Sequence, residues 1–198
     1  NTGWNSFNFY NPFYWNGNGI LVEFSYDNEN EGISSVVLGD ILSDAYGIYS
    51  SGSDNCMDIN GDRFVRVPTN NISGQISDEI TVSFWQFGDP QLQPQNDYIF
   101  EAYDGNNKRV ISTHLPWSNG NVYWDAGNTG GTYDRIFKAA NTEDYEGQWN
   151  HWAMTKNTQT GYMRIYLNGE LWHFGNNLTK SMSGIEKFII GAAGNETG

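Results

Sequence analysis

Large apolar residues alternate with polar ones along most of this chain, in short runs separated by turn-forming pairs. "ITVSFWQFG" places Ile80, Val82, Phe84 and Gln86 on one face and Thr81, Ser83, Trp85 and Phe87 on the other. "GILVEFSYDN" does the same with Ile20, Val22, Phe24 and Tyr26 against Glu23 and Ser25. A period of two is that of a strand with one buried face. "DYIFEAYD", "RVISTHL", "NVYWDAG", "NHWAMTKN" and "KFIIGAA" read as further strands. Asn16-Gly17, Asn18-Gly19, Asn60-Gly61, Asp104-Gly105 and Asn119-Gly120 punctuate the runs as turns. No segment holds a helical period over three turns, and the pattern allows only a short helical turn over residues 141–146.

"MRIYLNGELWHF" is the strongest local signal. Asn168-Gly169 suits a two-residue type I′ turn, in which both residues need positive φ. A regular hairpin around it opposes Leu167 to Glu170, Ile165 to Trp172 and Met163 to Phe174. That register predicts one apolar face of Met163, Ile165, Leu167, Trp172 and Phe174, with Arg164, Tyr166, Leu171 and His173 opposite. So large an apolar face needs a second layer, and a second antiparallel sheet is the economical cover. Trp85, Trp149, Trp152 and Trp172, lying within regular strands, are expected in the core.

Composition narrows the reading. The 198 residues suffice for one large domain, or one domain with a small appendage. Aromatic residues make up 16% and charged residues only 17%, with 23 glycines and 5 prolines, a mix that favours strands and tight turns. A net charge of −13 argues against nucleic acid or an anionic membrane as partner. Cys56 is the only cysteine, which excludes an intramolecular disulfide and a thiolate metal cluster, and it reads as a small buried hydrophobe. No apolar run is long enough to span a bilayer and no signal peptide is evident. The first residue is Asn1, so a mature fragment, or a piece of something longer, is expected. Asn71, Asn177 and Asn195 fit the N-glycosylation pattern, read here as coincidence in an Asn-rich sequence.

Two stretches carry a family likeness. "GQWNHWAMTKNTQTGYMRIYLNGELWHFG" resembles the paired-strand signature of laminin-G-like jelly rolls in the concanavalin A-like lectin superfamily, through Trp149, His151, Ala153, Thr155, Ile165, Tyr166, Leu167, Asn168 and Gly169. "GIYSSGSDNCMDINGDRFVRVP" resembles the opening strands of that family, and "DEITVSFWQFGD" the strand that follows. The resemblance implies an all-β, two-sheet antiparallel jelly-roll sandwich over residues 45–198. Residues 1–44 then form a small β-rich N-terminal segment, the end of a preceding β-module. That segment, "FNFYNPFYWNGNGILVEFSYDN", is similar to a short module of large secreted Bacteroidetes proteins exported by the type IX system. Members of the family finish with a strand reading roughly Gly-x-Ile-Asp-Glu-apolar, and this chain stops at "GAAGNETG" without it. The expectation is therefore one part of a longer polypeptide, at a secreted or cell-surface location.

Chemistry is sparse. Glycoside hydrolases of this fold use a Glu-x-Asp-x-x-Glu strand, which sets carboxylates on one face at catalytic separation. That strand is absent, as are Gly-x-Ser-x-Gly and His-Glu-x-x-His. His114, His151 and His173 sit beside apolar neighbours and read as packed histidines. No catalytic residue is assigned. Calcium is the inorganic partner to consider, because acidic and amide oxygens cluster in "GDILSD" and "SDNCMDINGD". An EF-hand loop fails, since it would put Cys56 at its first ligand position and Val67 at its twelfth. Relatives with a structural calcium near their early strands single out Asp40, Asp54, Asp58 and Asp62; an Asx-rich turn remains the alternative.

Sugar binding is the strongest functional candidate. Aromatic rings stack on pyranose C–H faces while Asn, Asp and Arg bond the hydroxyls. "HLPWSNGNVYWDAGNTGGTYDRI" offers both kinds in a Gly-rich setting suited to loops. The chosen residues are Trp117, Trp124, Asp125, Asn128, Tyr133, Asp134 and Arg135. A core Trp124 and an Asp125–Arg135 structural ion pair stand as the alternative. The sequence thus points to a non-catalytic module for glycan or polysaccharide binding or adhesion. An accessory domain of a secreted hydrolase, or a structural module packed on neighbouring domains of the same polypeptide, are the other readings.

Overall fold

The computed structural model describes residues 64–68, 76–129 and 131–194. The N-terminal segment 1–44, Cys56 and the aspartates Asp40, Asp54, Asp58 and Asp62 lie outside the described residues.

Among the described residues ten strands and one helical turn follow one another: β1 (Val65–Val67), β2 (Glu79–Phe87), β3 (Phe100–Asp104), β4 (Arg109–His114), β5 (Asn121–Thr129), β6 (Thr132–Ala139), α1 (Thr142–Tyr145), β7 (Trp149–Asn157), β8 (Tyr162–Leu167), β9 (Glu170–Gly175) and β10 (Ile185–Ile190). They form two antiparallel sheets. One runs β1-β10-β3-β4-β5-β6 and the other β2-β7-β8-β9. The expected all-β two-sheet sandwich is the observed fold. The expected helical turn is α1, whose entry is held by the Asn141 N–H donating to the Asp144 carboxylate at 2.9 Å. One strand escaped the sequence reading: β6 covers residues assigned above to a Gly-rich loop.

Apolar positions of both sheets meet in one core of Phe100, Ile111, Val122, Trp124, Ile136, Trp152, Met154, Met163, Ile165 and Phe188, among others. Two polar groups inside this core are paired across the sheets, while the buried Trp152 indole N–H and Thr113 hydroxyl have no partner. The Trp124 Nε1–H donates to the Thr155 carbonyl at 3.0 Å, and the Lys156 ammonium reaches the Asp134 carboxylate at 2.8 Å. An unpaired polar group there carries its full desolvation cost.

The Asn168-Gly169 turn has φ of 51° and 86°, both positive as a type I′ turn needs. The register beyond it differs from the regular hairpin. Leu167 opposes Glu170 and Tyr166 opposes Leu171, but Ile165 then opposes His173, leaving Trp172 as an extra residue on β9. This bulge shifts the rest of the strand by one residue and turns Phe174 to the outside, opposite Arg164. Gly175 takes the place facing Met163, and its missing side chain admits Ile136 of the other sheet.

Two tryptophans expected in the core are outside it. Trp85 is 45% exposed and Trp149 49%. Both follow the alternation of their strands, sharing faces with Thr81 and Ser83 on β2 and with Ala153 and Thr155 on β7. Trp152 is fully buried, and Trp172 packs against the core from its rim.

Candidate functional site

Residues whose neighbours in sequence fill the core form the outer face of the six-stranded sheet. Cross-strand register places Glu101 beside Ser112, Ser112 beside Asp125, and Asp125 beside Arg135. A polar row therefore crosses β3, β4, β5 and β6. One pleat away, His114 pairs with Tyr123 and Tyr123 with Phe137, giving an aromatic row across β4, β5 and β6. Successive same-face residues of a strand stand about 6.6 Å apart. The two rows together span four strands, with Arg135 and Phe137 their most exposed members.

The polar row is charge-compensated within itself. Arg135 grips Asp125 with Nε at 2.6 Å from Oδ1 and Nη2 at 2.6 Å from Oδ2. Arg109, at the start of β4, bridges both carboxylates at 3.3 Å each, through Nη1 to Glu101 and Nη2 to Asp125. Glu101 also accepts the Tyr103 hydroxyl at 2.6 Å and the Gly194 N–H at 2.8 Å. Under this roof Glu101 and Asp125 are only 1% exposed although they point away from the core. Contact with the Asp125 carboxylate pushes the Arg135 pKa above its ordinary value. The Ser112 hydroxyl, buried between the two carboxylates, has no hydrogen-bond partner.

Aromatic rings surround the guanidinium groups. Arg109 lies over the Tyr133 ring at 4.4 Å, and Arg135 lies over both Tyr123 at 4.8 Å and Tyr133 at 5.0 Å. Tyr123 stacks on Phe137, whose ring is 53% exposed. At the other end of the row His114 sits against Trp117 at 4.3 Å and Tyr98 at 4.7 Å. The His114 Nδ1 lies 2.8 Å from the Asp97 carbonyl, which requires the proton on that nitrogen. Burial pushes the His114 pKa below its ordinary value.

A family model described as the concanavalin A-like lectin/glucanases superfamily (Laminin_G_3) matches residues 60–197 of this chain. The chain belongs to that superfamily. No curated protein matches this superfamily member. Among solved structures it is similar to the binding domain of Paraclostridial Mosquitocidal Protein 1, at 17% identity and TM-score 0.51, over 66% of this chain and 34% of that one. An HCR/D mutant is similar at 23% identity and TM-score 0.50, over 66% of this chain and 33% of the other. The receptor binding domain of botulinum neurotoxin mosaic serotype C/D follows at 22% identity and TM-score 0.47, over 64% and 30%. These are likenesses of fold, and the lectin-like chain spans about a third of the length of each structure.

The structure gathers four of the seven residues chosen from sequence. Trp117, Asp125, Tyr133 and Arg135 lie on the outer face described above, and Asn128 lies at its margin. The Asn128 amide is committed, donating to the Arg109 carbonyl at 2.6 Å and accepting the Gly131 N–H at 3.1 Å. Trp124 and Asp134 are corrections. Trp124 is fully buried in the core and offers no ring face to a ligand. Asp134 turns inward to Lys156. Both alternate with outward neighbours on β5 and β6, so the strand period that makes Asp125 and Arg135 available removes them. The Asp125–Arg135 pair read as structural does exist, on paired strands in place of a loop.

Sequence reasoning missed Tyr98, Glu101, Arg109, Ser112, Tyr123 and Phe137. Tyr123 was within reach, because it alternates with Trp124 in "NVYWDAG". Glu101 and Arg109 come from the β3–β4 hairpin, and only the sheet register brings them here. Among the described residues no group of three or more His, Cys, Asp or Glu is placed to hold a metal ion.

Proposed function

We propose that this domain is a non-catalytic carbohydrate-binding module of a secreted or cell-surface multidomain protein, and that it binds glycan on the outer face of the six-stranded sheet. One observation carries the reading: an aromatic row lies one pleat away from a row of carboxylates and guanidinium groups already paired with each other. Stacking faces supply affinity, and the solvent-facing edges of Arg109 and Arg135 supply directional hydrogen bonds. Two carboxylates face two guanidinium groups there, so the surface suits a neutral saccharide better than an anionic one. The superfamily description includes lectins, and one structural neighbour is named a binding domain. Among the described residues no helix is long and apolar enough to cross a membrane.

A glycan array with and without EDTA tests the reading. Binding to neutral glycans that is lost in Trp117→Ala and Arg135→Ala, with thermal unfolding still cooperative, is the expected result. Absence of binding to any glycan, or binding untouched by both substitutions, overturns it. Sensitivity to EDTA would bring in calcium at Asp40, Asp54, Asp58 or Asp62; the surface described here is expected to bind without it.

The second reading, a structural module packed on neighbouring domains of the same polypeptide, draws on the other sheet. Trp85, Phe87, Trp149, Leu171 and Phe174 all stand exposed on strands of the four-stranded sheet. Isolated apolar residues on a surface are ordinary, but aromatic pairs such as Phe87–Trp149, at 5.7 Å, form a patch.

A further inference from the structure

Lys156 and Asp134 meet between the sheets, one from each. Lys156 on β7 points inward and its side chain is 0% exposed; Asp134 on β6 points inward and its side chain is 9% exposed. The Lys156 Nζ is 2.8 Å from Asp134 Oδ2 and is also held by the Ala126 carbonyl at 2.8 Å. The carboxylate is fixed in turn. Its Oδ2 accepts the Lys180 N–H at 2.9 Å, and the Lys180 ammonium stands 3.8 Å from Oδ1. Gly127, at φ of 80°, closes the pocket, and a side chain there would strike the Lys180 carbonyl and crowd the Lys156 amine. Two opposite charges are thus held in direct hydrogen-bond contact, away from water, by the Ala126 carbonyl on one side and the main chain and side chain of Lys180 on the other.

We propose that Lys156 and Asp134 become joined by an isopeptide bond, a covalent staple between the two sheets of the sandwich. An ion pair taken out of water keeps a large desolvation penalty on both partners, and an amide removes both charges. The held geometry supplies the proximity that makes the step intramolecular. The ammonium proton of Lys156 passes to the Asp134 carboxylate, leaving a neutral amine beside a neutral acid. The amine lone pair attacks Cγ. The oxyanion forms on Oδ1, which faces the Lys180 ammonium at 3.8 Å, while Oδ2, having taken the Lys156 proton, keeps the Lys180 N–H and is the oxygen that leaves. The C–O bond breaks, hydroxide takes the proton lost by the amine and departs as water, and the amide remains. Ammonium plus carboxylate gives amide plus water, with no oxidation or reduction. Burial pushes the Lys156 pKa below its ordinary value, which favours the amine form that attacks. The staple is independent of the glycan-binding reading.

The intact mass of the denatured full chain is the test. The expected chain is lighter by one water, with the peptide carrying Lys156 joined to the peptide carrying Asp134 after proteolysis and no tryptic cut at Lys156. Asp104-Gly105 can also lose water by cyclising, so the joined peptides decide the position. Lys156→Arg and Asp134→Ala are each expected to restore separate peptides. Folded, aged wild-type protein that yields the two peptides unjoined overturns the proposal, whatever the variants do.

Discussion

Asp125 and Arg135 oppose each other across β5 and β6, and their side chains meet in a two-pronged ion pair with both N···O distances 2.6 Å. The carboxylate is almost fully enclosed while the guanidinium keeps an edge in solvent, so the pair is anchored on one side and available on the other. Asp125→Ala is expected to destabilise the domain by about 3–5 kcal/mol, the range for removing one partner of a buried pair, because Arg109 and Arg135 lose a shared counter-charge. Arg135→Lys keeps the charge but not the fork. A smaller loss of stability with clearly weaker glycan binding is expected from it. Denaturant unfolding of the two variants checks the stability order.

Trp117 and Trp124 separate binding from folding. Trp124 is in the centre of the core and donates to the Thr155 carbonyl, so Trp124→Ala is expected to cost about 3–5 kcal/mol. Trp117 packs at the edge of the outer aromatic row against His114 and Tyr98. Trp117→Ala is expected to cost roughly 1 kcal/mol in stability, on the scale of the ring contacts it loses, while removing a stacking face. Thermal melts paired with a binding titration should show the first variant failing by unfolding and the second by loss of affinity.

Gly169 holds φ of 86° at the tip of the β8–β9 hairpin with open space around its Cα. Gly169→Ala meets no clash, so its whole cost is conformational, about 1–2 kcal/mol. Asn168→Gly keeps the favourable backbone but loses the side-chain bonds to the His151 N–H at 2.9 Å and to Asn150 at 2.9 Å. Chemical denaturation of both variants should therefore show destabilisation by two different routes. A Gly169→Ala protein as stable as wild type would mean that the turn adopts another form.

His114 makes stability depend on pH. Its pKa in the fold lies below the ordinary 6.5, first because of burial, so the unfolded chain binds the proton more readily. Stability from this residue is complete above about pH 6.5 and is lost as pH falls from there through the lowered folded value. Melting temperatures between pH 7.5 and 5 should fall less steeply for His114→Gln than for wild type. The difference between the two curves isolates the histidine from the carboxylates that titrate in both. Identical slopes would place the His114 titration outside that window.

The alternation of "ITVSFWQFG" and "NVYWDAG" determined much by itself. A strand's period is local, so it identified β2 and β5, assigned the faces of β2 and, with the positive-φ demand of Asn168-Gly169, located the hairpin turn, though it passed over β6. The same period had already set Trp85 beside Thr81 and Ser83, and the preference of tryptophan for interiors misled where the pattern did not. Trp124 and Asp134 fell on the inward phase for the same reason that Asp125 and Arg135 fell on the outward one.

Tertiary structure decided what depends on neighbours distant in the chain. The extra residue at Trp172 reversed the face of Phe174 and set Gly175 against Ile136 of the opposite sheet. Glu101, Ser112, Asp125 and Arg135 align only because β3, β4, β5 and β6 pair in one particular register. Lys156 finds Asp134 only because two sheets close on each other. Strand period is written in the chain one residue at a time, whereas register and sheet packing are settled by the joint burial of many side chains.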